Sequence, residues 1–194
     1  MNKNIEHYIF HKENFLDEKY CNNCIKELDK NAWVKHDWYD YTTDSVNAPS
    51  GNNEPENIKY DLFSDKVVKI NDFIIQELHS IFLEYIQSFK FTWFSGWKGY
   101  SSLKFIRYYP DQKMKNHCDH IYSLFDGKKR GIPILSVIGI LNDDYEGGEL
   151  IMLEDKKIDT NKGDLLIFPS NFLYPHEITP VTKGVRYSYV SWVW

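Results

Sequence analysis

Met114-Lys115-Asn116-His117-Cys118-Asp119-His120 is the stretch on which the reading of this chain turns. It sets a histidine and an aspartate two positions apart. In an extended backbone, side chains at i and i+2 point to the same face. His117 and Asp119 therefore reach toward one metal ion together, while Cys118 points the other way. The donor that suits them as a third ligand is His176, 57 residues further on. Two imidazoles and a carboxylate on one face of a metal leave its opposite face open. That geometry calls for a strand-rich frame around the stretch.

The flanking sequence supplies one. Ser101 to Tyr109 alternates, Ile134 to Leu141 is a continuous apolar run, and Glu149 to Leu153, Leu165 to Phe168 and Arg186 to Val193 read as further short strands. The aromatic-rich piece Phe91 to Trp97 precedes them. Turn signals fall between, at Pro110-Asp111, Asp143-Asp144, Gly147-Gly148, Asn161-Lys162-Gly163 and Lys183-Gly184. Strands of this length and spacing predict a sandwich, jelly roll or barrel. No internal repeat or low-complexity tract interrupts them.

Upstream the pattern is helical. Val67, Ile70, Ile74, Leu78, Ile81, Tyr85 and Phe89 recur every three or four residues and predict a helix over 65–89, with Lys69, Gln76, Glu77 and Glu84 on its polar side. Phe15, Leu16, Tyr20, Cys24, Ile25 and Leu28 predict a shorter one, with Asn14 as its cap. Trp33 to Tyr41 reads as a strand running into a loop rich in Asn, Pro, Gly and Ser; loops 39–57 and 121–131 are the segments expected to shape access to the site. The chain is thus expected to be one domain over 1–194. Residues 1–90 form a helical and loop support region, and 91–194 a β core carrying the metal ligands.

Composition narrows the function. The chain has 194 residues, 42% hydrophobic and 26% charged, as in an ordinary globular protein, and its 16% aromatic content favours strands. A formal charge of −5 argues against a nucleic-acid partner. No apolar run approaches the ~20 residues that span a bilayer, and Met1 to Phe10 has no signal-peptide core. Three cysteines do not make a disulfide scaffold. Cys21-Asn-Asn-Cys24 lacks a second pair and reads as ordinary reduced thiols, so a cytoplasmic protein is expected.

The chemistry-bearing residues converge. Two histidines and a carboxylate with open positions are the ligand set of non-haem Fe(II) oxygenases. Arg186 lies ten residues beyond His176 and offers a rigid fork for a carboxylate, with Ser188 on the same face of the strand. A further set of pieces surrounds them in order. Arg107-Tyr108 lies upstream of the metal stretch, and Leu141-Asn-Asp-Asp-Tyr-Glu-Gly-Gly-Glu-Leu150 between the ligands. Lys162-Gly-Asp-Leu-Leu-Ile-Phe-Pro-Ser170 precedes His176, and Gly184-Val-Arg186-Tyr-Ser188 closes the set.

With these pieces the C-terminal half resembles the Fe(II)/2-oxoglutarate-dependent dioxygenase superfamily, in its prolyl 4-hydroxylase-like branch. The resemblance implies a mainly β fold with packing helices (α+β): a double-stranded β-helix, jelly-roll and cupin-like, with N-terminal helices on its major sheet. It implies Fe(II) held by His117, Asp119 and His176, and 2-oxoglutarate on the iron with its distal carboxylate on Arg186 and Ser188. Tyr108 fills a cosubstrate tyrosine slot, with Tyr109 as its rival one position on. Asp111 stands where the family often has glycine. Many prolyl hydroxylases carry lysine at the carboxylate slot; Lys183 is a weaker candidate here than Arg186. The implied reaction is hydroxylation of a C–H bond, foremost of a prolyl residue in a peptide or protein. It consumes O2, releases succinate and CO2, and has ascorbate as a candidate reductant. Asp119 itself argues for hydroxylation, since halogenating relatives carry a small residue there.

Other readings are weighed against this one. The same chemistry on a small molecule or nucleobase, or a non-catalytic metal-binding jelly roll, would use the same ligands. A zinc hydrolase would have no need of Arg186-Tyr-Ser188. His11-Lys-Glu13 repeats the His-X-carboxylate spacing but lies outside the β half, and His79 adjoins the helix stripe as a core-edge residue. His120 is read as supporting or solvent-facing, and Asn142 as a turn or cosubstrate residue. Lys128-Lys129-Arg130 is a charge cluster that would suit an acidic partner.

Overall fold

The computed structural model describes residues 4–40, 45–47, 53–90, 96–119 and 133–194. Phe91 to Phe94, His120, Lys128-Lys129-Arg130, the loop expected at 121–131 and parts of that expected at 39–57 lie outside them. In chain order come β1 (Phe10–Lys12), α1 (Glu18–Leu28), β2 (Val34–Lys35), β3 (Trp38–Asp40), β4 (Ser45–Asn47), β5 (Glu56–Ile58) and α2 (Asp65–Phe89). Then follow β6 (Lys104–Tyr108), β7 (Met114–His117), β8 (Leu135–Ile140), β9 (Glu146–Gly147) and β10 (Leu150–Met152). The chain ends with β11 (Lys156–Ile158), β12 (Leu165–Pro169), β13 (His176–Ile178), β14 (Val181–Lys183) and β15 (Arg186–Val193).

The strands form a seven-stranded sheet in the order β1-β12-β8-β15-β6-β5-β2 and a four-stranded sheet in the order β11-β10-β13-β7. The pairings within both are antiparallel. Side-chain alternation assigns each residue of the larger sheet to one of two cores. Phe105, Val137, Leu165, Ile167, Tyr187 and Tyr189 pack outward on the helices with Val67, Ile74, Leu78 and Phe82 of α2. Ile106, Tyr108, Ile138, Ile140, Leu166 and Phe168 point inward, against Met114, Leu150, Met152 and Ile178 of the smaller sheet. Two facing sheets with helices on the larger one are the expected double-stranded β-helix.

The apolar stripe of α2 explains its place. Val67, Ile74, Leu78 and Phe82 are fully buried, each stabilising the fold by ~1.5–3 kcal/mol. Lys90, in the left-handed region at φ 53°, ends the helix. A buried hydrogen bond from the Leu103 amide to Asn71 Oδ1 (2.8 Å) ties α2 to the approach of β6, and so fixes the strand that carries Tyr108.

Three expectations change. The support region is not only helix and loop: β1, β2 and β5 extend both edges of the larger sheet. Strands of two or three residues are too short to show alternation in the sequence. The cap of α1 is Asp17, whose side chain accepts from the Tyr20 amide at 2.7 Å. Asn14 instead turns the chain at φ 51° and donates its amide to Asp164 Oδ1. Finally, β7 ends at His117, so Asp119 lies just past the strand rather than within it.

Cys21 and Cys24 are completely buried free thiols between α1 and the sheet. Burial pushes them up to about 11 and about 12 respectively. Asp111 takes φ 70° at the β6–β7 turn, which accounts for a glycine being at home there. Among the described residues no helix is long and apolar enough to cross a membrane.

Candidate metal centre

Pairing of β13 with β7 places His176 directly opposite His117. Ligating atoms of His117, Asp119 and His176 all lie within 4.8 Å of one another. The Nε2 atoms of His117 and His176 stand 3.7 and 3.8 Å from the same oxygen, Asp119 Oδ1. Each ring is turned by its other nitrogen. His117 Nδ1 donates to the Lys115 carbonyl at 2.8 Å, and His176 Nδ1 to the Tyr174 carbonyl at 3.1 Å. A carbonyl can only accept, so both Nδ1 atoms carry a hydrogen and both Nε2 atoms are turned toward Asp119. Cys118 stands outside this group, as do His11 and His79. His11 binds Asp164 at 2.9 Å and His79 the Tyr100 hydroxyl at 3.1 Å.

Protonation favours a cation. Burial and the neighbouring His176 lower His117 to about 4, so its imidazole is neutral at pH 7. Burial alone would raise the Asp119 carboxyl. The His176 and His117 rings, with smaller pulls from Ser136 and Trp192, outweigh it and hold the group below its ordinary value. The Trp192 indole N–H is buried and, among the described residues, has no acceptor within hydrogen-bond distance. A neutral imidazole beside an ionised carboxylate is the state in which the group offers lone pairs to a metal.

Arg186 begins β15 opposite Tyr108 of β6 and is 1% exposed. Its Nη1 donates to Ser188 Oγ at 2.8 Å, while Nε and Nη2 are buried with no hydrogen-bond partner among the described residues. Its guanidinium carbon lies 5.2 Å from the Tyr108 ring centroid and 6.0 Å from that of Tyr145. Gly148 leaves room for it: a Cβ there would come 3.1 Å from Arg186 Cδ. Tyr109 is turned outward at 36% exposure, stacked under Arg107. Lys183 pairs with Glu146 on the surface. Asn142 holds its turn, donating to Asp144 Oδ1 and the Val185 carbonyl and accepting from the Tyr187 amide.

Sequence reasoning missed Tyr145, Ser136, Trp192, Lys104 and His36. Period two along β6 would have shown Lys104 sharing a face with Ile106 and Tyr108, and along β15 Trp192 sharing one with Arg186. His36 carries no such signal, because β2 is only two residues long.

The model of the 2OG-Fe(II) oxygenase superfamily matches residues 103–194, which hold the triad and Arg186. Residues 103–194 are thus similar to that superfamily. Within it, the chain is 33% identical over 90 residues to a PKHD-type hydroxylase of Idiomarina loihiensis, covering 45% of this chain and 39% of that protein. It is 32% identical over 95 residues to one of Paraburkholderia xenovorans, covering 46% and 40%. The match thus spans about two fifths of the length of these relatives.

Solved oxygenase structures share the fold. A prolyl hydroxylase of Trichoplax adhaerens, in complex with a hypoxia inducible factor peptide fragment, superposes with TM-score 0.67 at 19% identity, covering 96% of this chain and 83% of that one. A Pseudomonas putida prolyl-4-hydroxylase gives 0.60 at 16% identity, covering 96% and 91%.

Proposed function

We propose that this protein is an Fe(II)- and 2-oxoglutarate-dependent hydroxylase acting on a prolyl residue in a peptide or protein. One observation carries the reading. Arg186 is buried with two guanidinium nitrogens that have no partner among the described residues, in a fold that also brings together three side chains able to hold a metal ion. A buried charge lacking a partner is costly, and a carboxylate from a small ligand would relieve it.

The residues fit the groups assigned to them. His117, Asp119 and His176 would hold Fe(II), leaving positions for a bidentate oxo-acid and O2. Arg186 and Ser188 would anchor the far carboxylate of 2-oxoglutarate. Burial raises Tyr108 to about 12 despite the adjacent Arg186, so its phenol stays a donor able to join that anchor. With iron bound, one molecule each of O2, 2-oxoglutarate and substrate C–H gives succinate, CO2 and the alcohol; the protein supplies orientation and exclusion of water. Ascorbate is proposed as an added reductant. The prolyl assignment draws on the names of the similar hydroxylases, and the free thiols suit a reducing, cytoplasmic setting.

The test is direct. Purified protein with Fe(II), 2-oxoglutarate and a library of proline-containing peptides should yield succinate and an added oxygen on proline by mass spectrometry. Oxidation elsewhere, with proline untouched, would reject the prolyl assignment.

A further inference from the structure

Among the described residues Lys104 is a cation with no carboxylate oxygen within 4 Å, electrostatically coupled to His117 and Asp119 of the candidate metal centre. It stands on β6 two and four positions before Ile106 and Tyr108, so all three side chains share the inward face. Its Nζ donates to His36 Nδ1 at 2.8 Å. His36 is 8% exposed and is held in place through its amide, which bonds the Pro55 carbonyl at 2.9 Å. Because His36 Nδ1 accepts, that nitrogen carries no proton, and the pair bears only the charge of Lys104.

The acids whose fields reach Lys104 are already engaged. Asp37 pairs with Lys59 at 3.2 Å, and Asp119 faces the two imidazoles of the metal group. Among the described residues no carboxylate oxygen lies within 4 Å of the Lys104 ammonium. Burial lowers that ammonium to about 8, which leaves it charged at neutral pH. A desolvated ammonium with protons to spare and a neutral neighbour is a recognition element for a carboxylate. Lys104 is coupled to His117 and Asp119 through their fields and pairs with Val190, at the other end of the ladder from the Arg186–Tyr108 pair, so its position suits a substrate rather than the far end of the cosubstrate.

We propose that Lys104, held by His36, is a specificity-determining subsite that receives a carboxylate of the substrate near the oxidised residue. The proposal rests on the oxygenase reading above and narrows its substrate to acidic peptides. The carboxylate comes either from a glutamate or aspartate side chain or from a free C-terminus.

Three sets of peptides with a single proline separate these sources: capped peptides with glutamate beside the proline, the same with glutamine, and glutamine peptides ending in a free carboxylate. Each is assayed with Fe(II) and 2-oxoglutarate for kcat/KM, and for binding without O2. The wild type should favour one carboxylate-bearing set over the capped glutamine set by roughly ten- to hundredfold, the worth of a charged hydrogen bond. Lys104→Met should bring that ratio to about one, and Lys104→Arg should keep part of it. Lys104→Glu should reverse it in favour of peptides bearing lysine, an outcome that a misfolded variant cannot give. Equal use of charged and neutral peptides by the wild type would overturn the subsite. So would an equal fall for all peptides in Lys104→Met, which would mark a purely structural role or a field on Asp119. If no peptide is oxidised and 2-oxoglutarate is not consumed, the oxygenase reading fails and the subsite with it.

Discussion

Arg186 and Tyr108 face each other across the β15–β6 ladder, with the guanidinium carbon 5.2 Å from the centre of the phenol ring. The ring closes one side of the fork, Ser188 occupies one N–H of Nη1, and Nε and Nη2 have no partner among the described residues. Arg186→Ala should therefore weaken 2-oxoglutarate binding by about 1.5–3 kcal/mol, roughly ten- to hundredfold, with a much smaller effect on metal affinity. Arg186→Lys should fall between, keeping charge but losing the fork. Titration calorimetry with 2-oxoglutarate and with the metal separates the two; equal losses in both would remove Arg186 from the anchor.

His36 sets a pH dependence of stability. Burial first, then Lys104, His117 and Lys115, lower it to about 2 in the folded state from the ordinary 6.5. A depressed histidine means that the unfolded chain binds the extra proton. Its stabilising contribution is therefore present above pH 6.5 and is lost as pH falls toward the folded value. Between pH 7 and pH 5 that one group should remove roughly 2 kcal/mol. Urea midpoints across this range should fall steeply for the wild type and less so for His36→Asn. Parallel slopes would contradict the assignment.

The stripe of α2 should be unequal in its response to truncation. Leu78 is fully buried against the larger sheet and Leu83 is 43% exposed on the opposite side. Leu78→Ala should cost about 2–5 kcal/mol, and Leu83→Ala about 0.5 kcal/mol or less. Chemical denaturation of both variants checks the difference.

Asn142 makes three hydrogen bonds that hold the turn before Arg186. Asn142→Ala leaves the Tyr187 amide and Val185 carbonyl without their partner and should destabilise the fold by about 1–3 kcal/mol. If Asn142 served the cosubstrate instead, 2-oxoglutarate affinity would drop while the unfolding midpoint stayed put.

These relationships were unequally legible in the sequence. The helix over 65–89 and the strand Arg186–Val193 occur with those bounds, because one has a seven-residue stripe at helical period and the other is rich in Tyr, Trp and Val after a Lys-Gly turn. Strands β11, β13 and β14 are three residues each and show too little alternation to be seen. His176 was recognisable as a candidate ligand by its chemistry, yet its position opposite His117 is set by strand pairing that no local pattern announces. Asn14 and Asp17 are both good caps; Asp17 stands directly before the helix and accepts from the Tyr20 amide, while Asn14 turns the chain at φ 51° with its backbone amide on Asp164. Lys104 is the instructive omission: a lysine in an alternating strand reads as the solvent face, whereas here it shares the inward face with Ile106 and Tyr108.

The central claim is that His117, Asp119 and His176 hold an iron that turns over 2-oxoglutarate. Its most direct test is succinate formation from 2-oxoglutarate by metal-free protein reconstituted with Fe(II), run beside His176→Ala. Succinate appearing only with Fe(II) and O2, and lost in the variant together with metal binding, is the predicted result. Undiminished succinate in His176→Ala, or none from a wild type that binds both iron and 2-oxoglutarate, would contradict it.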